Sequence, residues 1–144
     1  MPIKRSTYQS EETIESFYQR SEWTGGFKLI SQNMLKLIEL INSNFTKTEF
    51  VVSTSHQRLC IQDKDDEKLN WIIIISNVGL DEYYFEYKVP ENKRPWEEAW
   101  MKGTAKNLND AIIYLIKSMI ETEVWRDNEE LNELINKYTV YNKT

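Results

Sequence analysis

The chain has 144 residues, and its 18 lysines and arginines against 23 aspartates and glutamates give a formal charge of −5 with His56 neutral. That length fits one domain, residues 1–144, able to bury a core without disulfide or metal staples. A composition 40% hydrophobic and 28% charged, with four Gly and three Pro, excludes disordered, collagen-like and low-complexity chains.

Residues 1–9 show no periodicity and are expected to fray. A first helix is expected after Ser10, where Glu11 and Glu12 suit a helix N-terminus and Ile14, Phe17 and Tyr18 share a face. Gly25-Gly26 breaks it. Phe27, Ile30, Met34, Leu37, Ile38, Ile41 and Phe45 then form an apolar stripe at helical spacing. From Phe50 the period changes to two. Phe50, Val52 and Thr54 alternate with Val51, Ser53 and Ser55, and Leu59 and Ile61 resume the alternation after His56-Gln57-Arg58. The charged run Asp63 to Lys68 reads as a solvated hairpin connection. Trp71 to Ile75 is apolar on both faces and predicts a central strand covered on both sides. Tyr83, Phe85 and Tyr87 mark the next strand, which Pro90 ends.

Pro90 to Gly103 is expected to be irregular. In it, Pro95 opens a helical turn that puts Trp96 and Trp100 on one side, and Gly103 closes it in a left-handed conformation. Asn107 caps a helix with the buried stripe Leu108, Ala111, Ile112, Leu115, Ile116 and Met119. A last helix follows Asp127, with Glu130 at the capping-box position, and residues 140–144 are expected to fray. The order α-α-β-β(β)-β-α-α predicts an α+β fold: an antiparallel three- to four-stranded meander flanked by N-terminal and C-terminal helices.

The sequence carries no phosphate loop, nucleophile elbow or zinc-protease motif, so no cofactor and no catalytic residue are assigned. One Cys and one His cannot fill a four-ligand zinc site without two carboxylates or a second chain, and Cys60 and His56 lie about 13 Å apart if one strand holds both. The lysines and arginines are scattered, which disfavours binding to nucleic acid. No stretch is apolar enough to span a bilayer, and Met1 to Ser10 has no apolar run of the signal-peptide kind. With a single cysteine, these features predict a cytoplasmic protein. The bias to Ile, Lys and Asn over Ala fits an A+T-rich, bacterial coding sequence.

The remaining signal is aromatic. Tyr83, Tyr87, Arg94, Trp96 and Trp100 form the candidate contact set, because Trp, Tyr and Arg dominate binding hot spots. The expected function is a non-enzymatic module that binds another protein, an inhibitor or immunity-type factor steered by its acidity to a basic partner. The alternatives are a small-molecule-binding domain or enzyme, in which those aromatics converge on a pocket, and a homodimer.

Overall fold

The computed structural model describes residues 3–138. Six strands lie side by side in chain order: β1 (Ile3–Arg5), β2 (Phe50–Ser55), β3 (Arg58–Gln62), β4 (Trp71–Asn77), β5 (Tyr83–Lys88) and β6 (Trp100–Ala105). Helices α1 (Ile14–Tyr18) and α2 (Gly26–Asn44) precede β2, and α3 (Leu108–Thr122) and α4 (Glu129–Lys137) follow β6. α2 packs on β1 and β4, α3 on β5 and β6, and the two helices on each other, so both cover one face.

The α+β class stands, but the sheet is larger than the predicted meander and is mixed. β1 pairs parallel to β2, with Ile3 opposite Phe50, because α1 and α2 supply the long crossover that a parallel pair needs. Residues 3–9 are therefore held rather than frayed. Ser6 N donates to Val52 O at 2.7 Å, and Ile3 is buried. The second correction is β6, which occupies the place of the predicted helical turn. Lys88 to Tyr83 pair with Trp100 to Ala105, and their ladder outweighs the weak local preference of a Pro-led turn. Gly103 thus sits in a strand opposite Phe85, where a Cβ would lie 3.1 Å from Tyr114 Cε2; the missing side chain makes room for that ring. Residues 140–144, expected to fray, lie outside the described residues.

α1 begins later than expected. Thr13 is its N-cap, accepting from Ser16 N at 3.1 Å, while Glu12 turns away to meet Arg5 at 3.2 Å and Arg20 at 2.5 Å. Hydrogen bonding from Arg20 leads the effects that hold the Glu12 carboxyl below its ordinary range. α3 starts as its sequence predicts, with Asn107 Oδ1 accepting from Asp110 N at 2.8 Å. In α4 the cap is Asn128, and Glu130 reaches away to the segment before β2 instead of closing a capping box.

The helix-covered face carries Phe50, Val52, Leu59, Ile61, Ile73, Ile75, Tyr83 and Phe85, packed under Met34, Leu37, Ile38, Leu115 and Ile116. The β3–β4 register shifts after Ile61, so two residues of β4 oppose one step of β3. This bulge turns Ile72 into the same core as Ile73. Ile74 faces the other way beside Cys60, and both are buried.

Among the described residues no helix lies on the second face, yet Ser53, Cys60 and Gln62 are buried there. The β3–β4 loop accounts for this. Asp65 accepts from Ser6 Oγ at 2.9 Å and Thr7 N at 3.1 Å, so the loop must cross β2 to reach the chain beyond β1. Beneath it Ser53 Oγ bonds Gln62 Oε1, and Gln62 Nε2 donates to Lys64 O. The charged run is thus a lid over polar residues that would otherwise lie in water, not a free hairpin tip.

Candidate partner-binding site

The alternation of an antiparallel sheet sends its connections to two ends. The β3–β4 loop, the β5–β6 loop and the C-terminal end of α3 meet at one of them. Lys93 Nζ of the β5–β6 loop lies 2.9 Å from Glu123 Oε2, and Arg126 lies 3.3 Å from the other oxygen of that carboxylate. The hydrogen bond from Lys93 is the main effect holding the Glu123 carboxyl below its ordinary range, and Glu123 in turn raises Lys93.

Residues 63–68, 89–99 and 121–130 carry twelve acidic side chains against five basic ones, whereas the rest of the chain has eleven against thirteen. The acidic excess is therefore concentrated in these three segments. Trp96 stands in the middle of the β5–β6 loop at 72% exposure, the most exposed large apolar side chain among the described residues.

Between these loops runs an open cleft of about 530 Å³, with Trp71 and Ile72 on one wall, Lys88 and Arg94 on another and Thr122 at the end of α3. Asp63, Asp66 and Glu91 also line it. Arg58 stacks over the Trp71 ring at 5.9 Å from its centroid. Of the three buried side-chain polar atoms without a hydrogen-bond partner among the described residues, two belong here: Trp71 Nε1 and Arg94 Nε.

The predicted contact set does not converge. Tyr83 is in the core, its hydroxyl donating to Asn33 O at 2.8 Å; burial, aided by Asp81, pushes its phenol up to about 12. Tyr87 is half-buried on the helix-covered face and packs against the core. Trp100 opens β6 opposite Lys88, on the other face of the sheet from Tyr87. Only Arg94 and Trp96 remain together, on one loop. Trp71 was read as a strand residue and not as part of a site. Nothing in its own neighbourhood signals the bulge that turns it to the cleft.

Cys60 and His56 form no nucleophilic pair. His56 is exposed at the β2–β3 turn with φ +58, while Cys60 is buried in the middle of β3. Burial pushes the Cys60 thiol up to about 12 against the opposing pull of Arg58, the reverse of what a nucleophile needs. Among the described residues no group of three or more His, Cys, Asp or Glu side chains could hold a metal ion. No helix among them is long and apolar enough to cross a membrane.

A second exposed surface lies at the opposite end of the sheet. Phe27 and Leu29 of α2 stand beside Val78 and Leu80 of the β4–β5 turn, all more than half exposed. Gly79, at φ +93, lets the turn approach α2: a Cβ there would be 3.7 Å from Leu29 Cβ. Asn77 fixes the turn, accepting from Gly79 N at 2.7 Å and donating to Leu80 O at 2.7 Å.

Compared with known proteins, the chain matches no family model, no curated protein and no solved structure.

Proposed function

We propose that the protein is a binding module that docks on a basic protein partner through the acid-rich loop end, in the manner of an inhibitor or immunity-type factor. The observation that carries this reading is the placement of the charge. A chain of −5 that is slightly basic outside residues 63–68, 89–99 and 121–130 presents one strongly acidic end, not a diffuse acidic surface. With a screening length of about 8 Å at physiological salt, acids on segments that line one cleft act together on an approaching partner. Such a field raises the association rate and selects against acidic surfaces. Trp96 supplies an exposed aromatic anchor within that field.

The test is affinity capture from an extract of the source cell on two columns. One carries the unaltered protein and the other the Glu91→Lys, Glu97→Lys, Glu98→Lys variant. The first is expected to retain a stoichiometric partner of high isoelectric point that is released at ~0.5 M salt. The second is expected to lose it. Equal retention on both columns, or no stoichiometric partner on the first, contradicts the proposal.

A second reading, self-association, is favoured by the apolar patch of Phe27, Leu29, Val78 and Leu80 at the other end. Clustered apolar side chains on a rigid turn mark interaction surfaces. Light scattering with size exclusion decides it: a dimer that Leu80→Glu converts to monomer supports this reading, and a monomer at all concentrations removes it.

A further inference from the structure

The two edges of the sheet are finished differently. Around the three-residue β1, main-chain groups are met by side chains. Thr54 N donates to Gln9 Oε1 at 2.8 Å, Gln9 Nε2 donates to Thr54 O at 2.6 Å, and Ile3 N donates to Asn42 Oδ1 at 3.2 Å. At the β6 edge no side chain among the described residues does this. Val89 N donates to Ala99 O at 3.0 Å, one step beyond the register that sets Lys88 opposite Trp100. An antiparallel strand turns its main-chain groups alternately to one side and the other. Ala99, Met101, Gly103 and Ala105 therefore face β5, and the N–H and C=O groups of Trp100, Lys102 and Thr104 face outward. β6 holds no Pro and its register with β5 is unbroken, so Lys102 alone guards this edge against a further strand.

The side chains define which strand fits. On the helix-covered face Met101 is 52% exposed, and the half-buried Tyr114 ring fills the space beside Gly103. On the other face Lys102 and Thr104 are exposed. A second β6 related by a two-fold axis must set outward residues opposite outward residues. An axis at Lys102 would oppose two ammonium groups, which is destabilising. An axis at Met101 would pair only residues 100–102 of each strand. An axis at Gly103 pairs residues 101–105, with Lys102 opposite Thr104, Met101 opposite Ala105 and Gly103 opposite Gly103. In that central pair the backbones approach most closely and neither residue has a side chain to obstruct them.

We propose that β6 pairs antiparallel with β6 of a second copy of this chain, about an axis at Gly103, to make one continuous sheet through both molecules. The interface is separate from the patch of Phe27, Leu29, Val78 and Leu80 and does not depend on the docking reading above.

The test is sedimentation velocity of the full chain over roughly 10–500 µM, the range suited to a small interface. The unaltered protein and Leu80→Glu are expected to dimerise alike. Thr104→Pro removes an outward N–H from each copy and leaves the ladder to β5 intact, and is expected to weaken the dimer about 10-fold or more. Thr104→Glu sets a carboxylate opposite Lys102 of the other copy, twice per dimer, and is expected to tighten it about 2- to 10-fold. That gain belongs to the Gly103-centred register and is read without the proline variant, should the latter fail to fold. A monomer throughout the range, a dimer that Leu80→Glu dissolves while Thr104→Pro does not, or a dimer that Thr104→Glu leaves unchanged or loosens overturns the proposal.

Discussion

The Glu130 carboxylate accepts a hydrogen bond from Thr48 N at 2.8 Å, joining α4 to the start of β2 across 82 residues of chain. The same side chain accepts from Thr46 N at 2.8 Å, from Lys47 N at 3.1 Å and from the Thr48 hydroxyl at 2.8 Å. Three successive amides thus converge on one carboxylate, as they do in anion-binding turns. α4 packs on α3, its Leu131 and Leu134 reach the core, and this clamp ties its first turn to the segment before β2.

The clamp gives stability a pH dependence. Partial burial raises the Glu130 pKa, but the bonds from Thr48, Lys47 and Thr46 outweigh it and hold the carboxyl below its ordinary range. A group whose pKa is lower folded than unfolded stabilises the fold above the unfolded value, about 4.3 for Glu, and loses that contribution as pH falls through the folded value. Glu130→Gln is therefore expected to cost about 1 kcal/mol at pH 7 and markedly less at pH 3. Urea unfolding of both proteins at the two pH values checks this.

Cys60 is expected to be inert. With its thiol pushed up to about 12 and its side chain buried, reaction with a thiol reagent at pH 8 requires the sheet to open. The rate should follow unfolding, rising with urea, and His56→Ala should leave it unchanged. Rapid labelling of the native protein, slowed by His56→Ala, would restore the pair as a reactive unit.

Gly103 and Tyr114 should behave as a coupled pair. Gly103→Val drives a branched side chain into the ring and is expected to cost about 1–3 kcal/mol. In a Tyr114→Ala background the added cost should largely vanish, which a double-mutant cycle measures directly.

Trp96 and Trp125 should separate cleanly. Trp125 packs its ring against Phe50 at a centroid distance of 5.9 Å, so Trp125→Ala is expected to cost about 2–3 kcal/mol, below the range for a fully buried tryptophan. Trp96 is exposed, and Trp96→Ala should leave stability within about 0.5 kcal/mol while weakening partner capture. Denaturant midpoints and the two-column comparison together test the contrast.

Much of this fold was legible because its long elements carry strong periodicity. The stripe from Phe27 to Phe45 and that from Leu108 to Met119 are α2 and α3, and Trp71 to Ile75 is a covered inner strand. The misses have a common cause. β1 and β6 are edge strands, one three residues long and one interrupted by Gly103, and they are specified by their partners in β2 and β5 rather than by their own pattern. The candidate site was legible in part. Arg94 and Trp96 were visible as a Pro-bounded aromatic and charged loop. The gathering of the acids was not, because it depends on which loops the sheet sends to the same end. Trp71 was hidden by the bulge after Ile61, which depends on pairing that local sequence does not encode.

The most direct measurement is hydrogen–deuterium exchange of the protein alone and bound to its captured partner. Docking through the acid-rich end predicts slowed exchange in residues 63–68 and 89–99, with residues 26–30 and 77–81 unchanged. Protection confined to residues 26–30 and 77–81 would place the interface on the apolar patch and contradict the account.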